Sequence, residues 1–308
     1  MAMSRGESVI SLTQNACAEE LAALERSYRR EVMARLCFDR IGEKQEYLVK
    51  RFHDSDNWNQ TAYFMLMRAL DIGANRKSYE QLARILPYKY LTHVGLNRTS
   101  VEALLLGCAG LLPRLSILEP NNPEIAELNE DFEYNRYKYR LETMRVFDWQ
   151  LTGIYGDNHP VVRLLQVAGV FSKLPHLLDS LLGCRTKQDV EAIFCNIDIP
   201  RWANRFLPLE SRTGMISRNK AYMLGINVVA QMQIFYSEYT MREGLDTRGL
   251  DLLEQFPAEN NTYVRRWARF NVVAQNALES QALLQLSKAY CHNLACEKCP
   301  FRRFLDAK

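Results

Sequence analysis

Three of the eight cysteines crowd into Tyr290-Cys-His-Asn-Leu-Ala-Cys-Glu-Lys-Cys-Pro300, spaced C-x4-C-x2-C and closed by a proline. Thiolates this close, in a chain with no secretory signal, commonly share a metal or a redox task. A C-x2-C pair offers two ligands from one tight turn, and structural zinc takes four in a tetrahedron. Cys296 and Cys299 suit that turn, and Cys291 adds a third ligand. His292 adjoins Cys291 in an awkward geometry, so the fourth ligand must come from elsewhere, with Cys184 and Cys195 as candidates. An iron–sulfur cluster also wants four such ligands. The C-x2-C-Pro ending is similar to the cysteine loop of helical DNA-repair glycosylases, which have a different first spacing and a fourth cysteine after the proline. The plain alternative is a set of reduced thiols packing a terminal loop.

Cations form the second candidate. Arg201, Arg205, Arg212, Arg218 and Lys220 fall within twenty residues against Glu210 alone. Tyr134 to Arg140 and Tyr263 to Phe270 interleave aromatic and basic side chains, a mixture able to hold phosphates and stack bases. On a helix these side chains divide between faces, so core aromatics with a solvated basic face explain the same pattern. Asn158, Arg163 and Gln166 can line a polar pocket at a helix start, with His159 between them; a helix cap by Asn158 accounts for them equally. The histidines form no H-x3-H or H-E-x2-H pattern, and no phosphate-loop, dinucleotide or nucleophile-elbow motif occurs.

These side chains need a scaffold. With 308 residues, 47% hydrophobic, only 14 Gly and 10 Pro, the chain has ample material for a core and few turn signals, and it predicts an all-α, multi-helical fold of about a dozen helices ending in a cysteine-rich knuckle. A net charge of +3 is too small to imply nucleic acid or a membrane. The longest apolar run, Val101 to Leu112, is too short to span a bilayer and contains Glu102. A cytoplasmic protein without a membrane partner is expected.

Along the chain, a charged helical pattern from Cys17 to Phe52 is expected to break at Gly42. Asn57 is expected to cap a helix bearing Trp58, Phe64 and Leu70. A short helix around Tyr79 and Leu82 stops at Pro87. Thr99 or Ser100 caps an apolar helix ending at Gly110. Residues 113–123 read as a loop, and Pro123 opens the next helix. Further helices are expected from Pro160, from Thr186, over 219–239, over 247–256 and over 261–280, the last with a break near its end, and a polar loop at 207–219. The expected organisation is a helical lobe over 1–152, a second over 153–290 and the cysteine tail over 291–308. Asn-Val-Val-Ala-Gln occurs at 227–231 and again at 271–275; the flanks do not align, so chance is the simpler account.

Several runs together resemble a family. Leu252-Leu-Glu-Gln-Phe-Pro-Ala-Glu-Asn-Asn261, Ser280 to Leu286 and the cysteine tail look like the C-terminal signature of an uncharacterised bacterial domain-of-unknown-function family, number 2851. Asp56-Asn-Trp-Asn-Gln60, Leu82-Ala-Arg-Ile-Leu-Pro87, Glu102 to Leu112 and Asn158-His-Pro160 with Arg163 and Gln166 are similar to its middle section. Longer members carry an N-terminal region with acidic motifs reminiscent of nuclease folds, so the resemblance implies that this chain corresponds to the helical portion alone. It implies no activity. By analogy it makes nucleic acid the preferred partner class, with a protein partner or a separate nuclease-like domain also compatible. The leading expectation is a non-catalytic binding or scaffold domain with a structural metal held by Cys291, Cys296 and Cys299. The alternative is a metalloenzyme or iron–sulfur enzyme of DNA-repair type.

Overall fold

A computed structural model describes residues 17–154, 158–174, 176–207 and 215–302, which are helical with no strand among them. The fold is all-α. It divides into two compact units, one of Arg51–Met232 and one built from the described parts of 1–50 and 233–308. Gly153 lies inside the first unit and the cysteine tail inside the second. Among the described residues no single helix is long and apolar enough to cross a membrane.

After a short helix over residues 17–22 and a break at 23–25 comes α1 (Arg26–Ser55), thirty residues without interruption. The expected break at Gly42 does not occur. That glycine is exposed mid-helix, and a helix can carry one glycine at a cost of about 1 kcal/mol.

In the first unit, α2 (Trp58–Ala69) starts at Asn57, whose side chain accepts from the Gln60 amide at 3.0 Å. Eight of its twelve residues are buried. Around it stand α3 (Arg76–Ile85) and α4 (Tyr88–His93), separated by Pro87. The next helix, α5 (Arg98–Cys108), is buried at every position from Val101 to Cys108. Its cap is Asn97, which accepts from the Ser100 amide at 3.2 Å, in place of the expected Thr99 or Ser100. Residues 112–118 form α6 (Leu112–Leu118) where a loop was expected. Pro113 sits in its first turn, where a missing amide hydrogen costs nothing.

Both α7 (Pro123–Tyr139) and α8 (Pro160–Lys173) pack on α5. Contact with α7 is close because Gly107 faces the Phe132 ring; a Cβ there would lie 2.1 Å from a ring carbon. The C-terminal end of α5 is closed by a distant segment. Met144 donates its amide to the Cys108 carbonyl at 2.8 Å, and Trp149 Nε1 donates to the Ala109 carbonyl at 2.8 Å. Asn75, almost fully buried, locks the same segment through two bonds with the Gln150 backbone, at 2.8 and 2.9 Å. The unit continues with α9 (Leu177–Gly183), α10 (Lys187–Phe194), a 3-10 turn at Arg201–Phe206 and α11 (Arg218–Leu224). A capping box at Thr186 and Asp189 starts α10. Part of the expected 207–219 loop, 208–214, lies outside the described residues.

A π-helical stretch, Gly225–Val229, carries α11 into α12 (Ala230–Thr240), so the expected helix over 219–239 is present with a π insertion. In the second unit come α13 (Leu245–Gln255), α14 (Thr262–Ala268) and α15 (Ala277–Gln285). The helix expected over 261–280 is interrupted at residues 269–276. There the second Asn-Val-Val-Ala-Gln leaves the helix, with Asn271 at φ +63°. Polar bonds tie α1 to its partners. Arg29 pairs with Glu279 at 2.7 Å, Arg30 with Glu254 at 2.7 Å, and Tyr290 donates to Asp39 at 3.0 Å.

Candidate functional site

The cysteine tail follows α15 through a π turn, Leu286–Cys291, and a 3-10 turn, Cys296–Lys298. The Cys299 amide donates to the Cys296 carbonyl at 3.1 Å, closing the C-x2-C turn. Cys291 is half-buried, Cys296 exposed and Cys299 buried, and all eight cysteines are thiols rather than disulfides. The Cys299 sulfur accepts the backbone N–H groups of Phe301 and Arg302, but burial outweighs them and pushes its thiol up. Among the described residues no three His, Cys, Asp or Glu side chains are arranged as a metal-holding group.

The basic segment is largely turned to structural use within the first unit. Arg205 donates to the Leu118 carbonyl at 2.7 Å and pairs with Glu119. Arg218 meets Glu191 at 3.4 Å. Lys220 donates to the carbonyls of Ala69 and Leu70, at 3.1 and 2.5 Å, and so caps the end of α2. Arg201 is exposed at the start of its 3-10 turn. Arg212 lies outside the described residues.

Asn158, Arg163 and Gln166 do come together. Arg163, only 3% exposed, donates from its guanidinium to Asn158 Oδ1 at 2.7 Å and to Gln166 Oε1 at 2.8 Å. Asn158 is therefore occupied by the arginine and is not the cap of α8. That cap is His159, whose Nδ1 accepts from the Val161 amide at 3.3 Å while its ring stacks on Phe206 at 4.5 Å.

Burial, helped by the Arg114 charge, lowers the His159 pKa from 6.5 to about 4. The folded state holds the ring neutral, and protonation removes the lone pair that caps the helix. Stability from this group is full above about pH 6.5 and is lost as the pH falls towards 4. The expected loss is of the order of 2 kcal/mol, allowing for partial exposure. His159→Asn keeps a capping acceptor without a proton to gain. Urea titrations from pH 7.5 to 4.5 should show a flatter stability profile for this variant than for the parent; identical slopes would refute the assignment.

A cavity of about 840 Å³ opens in the first unit beside residues the basic-patch reading did not include. Three of its lining residues, Asn57, Asn59 and Gln60, come from the start of α2, and their polar atoms brace the walls. Asn59 Oδ1 accepts from the Leu178 amide at 3.0 Å, and Gln60 Oε1 accepts from the Tyr88 amide at 2.7 Å. Charge is supplied by Arg51, Arg84 and Lys89, with His176 beside them. The guanidinium carbons of Arg51 and Arg84 lie 5.1 and 5.9 Å from the centroid of the same ring, Phe64. Asp54 is the one carboxylate among the lining residues; it pairs with Arg51 at 3.1 Å and its side chain is 53% exposed.

The sequence runs Asp56 to Gln60 and Leu82 to Pro87, which carried the family resemblance, supply much of this lining. Their approach to one another depends on the packing of α2 against α3 and α9, which no local pattern reveals. No curated protein and no solved structure matches this chain. The cavity-lining residues and the Asn158–Arg163–Gln166 group all fall within residues 5–262, the span matched to the family described as "Protein of unknown function (DUF2851)", and the chain belongs to that family.

Proposed function

We propose that this protein is a non-catalytic binding module for single-stranded nucleic acid, with the Arg51–Phe64–Arg84 cavity as the binding site. The observation that carries this reading is the pair of guanidiniums set against one aromatic ring in a cavity with a cationic majority. Arginine planes stack on bases and donate in parallel to phosphate, so one pair of side chains serves both parts of a nucleotide. A segment of single strand can enter an 840 Å³ cavity, whereas a duplex keeps its bases stacked inside. The cysteine tail of the second unit is read as a structural zinc site that stabilises its fold, with an iron–sulfur cluster as the other thiolate-bound centre.

The enzyme alternative asks for a buried carboxylate in the cavity. The buried carboxylate among the described helices, Glu102, is pushed up chiefly by burial. It is paired with Arg98 at 2.8 Å, and neither residue lines the cavity. This favours the binding module.

The test is a fluorescence-anisotropy titration of the full chain with a labelled oligothymidylate and with a duplex of equal length, over a range of salt concentrations. Tighter binding of the single strand is expected, with log K falling against log salt by about 0.7 per phosphate neutralised. Binding that ignores salt, or a preference for duplex, would sink the reading.

A further inference from the structure

The second unit holds another thiol beside the tail. Residues 17–22 are helical, and Ala18 and Leu21 within them are 1% and 0% exposed. This short helix is therefore docked in the core of its unit. Its polar side reaches the C-terminal segment, where Glu20 pairs with Arg302 at 3.9 Å. Phe301, next to that arginine, is fully buried. Cys17 begins the helix, and its thiol lies within electrostatic reach of both Cys299 and Cys296. Two of the three tail thiols thus share their neighbourhood with a fourth cysteine from far away in sequence.

The other thiols have different charged neighbours. Cys37 is 0% exposed inside α1, and burial pushes it up to about 12. Cys108 and Cys184 belong to the first unit and are raised to about 12 by the same cause. Cys195 is also in the first unit. Cys17 is half-buried in the unit that holds the tail; burial raises its thiol too, and the Arg302 charge offsets part of that rise. The two backbone N–H groups that Cys299 accepts offset part of the negative charge that a set of thiolates accumulates.

We infer that Cys17 supplies the fourth thiolate to Cys291, Cys296 and Cys299, completing a four-cysteine metal centre that clips residues 17–22 to the C-terminal tail. The inference rests on the metal reading of the tail. The sulfurs of the described residues do not form a closed ligand set; the ion closes it, as it does where ligand loops fold on their metal. The ligand chemistry is that of a soft, thiolate-seeking centre, zinc or an iron–sulfur cluster.

The full chain, expressed with both zinc and iron supplied, is analysed for bound metal and inorganic sulfide, then stripped with a chelator and refilled with Co2+. Zinc near one per chain, or iron with sulfide, is expected. Cys17→Ser should reduce retained metal by more than about tenfold, since losing a ligand costs at least as much as losing an outer partner. It should also weaken the sulfur-to-cobalt charge-transfer band, as Cys296→Ser does, whereas Cys195→Ser should change neither. Folding of a variant is not needed for a second readout: in the unaltered chain, Cys17 should resist alkylation when metal is bound and react after chelation. Metal lost in Cys296→Ser but retained in Cys17→Ser, with Cys17 alkylated equally in both states, overturns the role of Cys17 alone. A parent chain that binds neither zinc nor iron overturns the metal reading of the tail together with this inference.

Discussion

Arg84→Glu should weaken binding of single-stranded nucleic acid by roughly thirtyfold while leaving the melting temperature within a few degrees. Arg84 stands in the last turn of α3 with its side chain 54% exposed, and its ion pair with Glu80 is long at 3.8 Å. Surface pairs of this kind contribute about 0–1 kcal/mol, and Glu80 keeps Arg68 and Arg76 at 3.3 and 3.5 Å. The fold therefore loses little. The ligand loses more. A hydrogen bond from a charged donor contributes about 1.5–3 kcal/mol, and tenfold in affinity corresponds to about 1.4 kcal/mol. Reversal adds repulsion between the new carboxylate and the phosphate. The slope of log K against log salt should flatten by at least about 0.7, the share of one phosphate contact on a single strand. Arg201→Glu is the informative comparison, because Arg201 is exposed in the other basic segment. A larger effect there than at Arg84 would move the interface from the cavity to the 201–220 segment.

Gly110→Ala should cost about 4 kcal/mol and lower the melting temperature of the first unit by roughly 10 °C. Gly110 sits just past the end of α5 at φ +70°, a conformation that costs a residue with a Cβ about 1–2 kcal/mol. A Cβ built there would lie 2.1 Å from the Met144 carbonyl oxygen, which is backbone and cannot rotate away. Relief requires moving residues 144–149, and that endangers the Met144 amide bond to Cys108 and the Trp149 indole bond to Ala109. Each such bond left unmade inside the protein costs about 1–3 kcal/mol. Gly42→Ala is the counterpart. A Cβ at Gly42 meets nothing within 4 Å, so the substitution should stabilise α1 by about 0.5–1 kcal/mol. Calorimetry or circular dichroism of the two variants separates the cases. Equal melting of Gly110→Ala and the parent would contradict the close approach of Met144.

The sequence by itself determined what is set within a few residues. Helical periodicity and scarce breakers specified the all-α class. Asn57 was readable as a cap because a short polar side chain bonds the amide three residues ahead, wherever the helix goes. Tertiary structure decided what depends on distant neighbours. It made a helix of 112–118 and carried α1 through Gly42. It drew Asn-Val-Val-Ala-Gln into a helix at 227–231 and out of one at 271–275. It spent Arg205, Arg218 and Lys220 on internal carbonyls and carboxylates, and set Arg51 and Arg84 on one phenylalanine. It also brought Cys17 within electrostatic reach of Cys296 and Cys299. The reason is physical. A cap or a helical stripe is a short-range property of the backbone, whereas the neighbours of a side chain are chosen by how whole helices bury their apolar faces, and that choice is made by the chain as a whole.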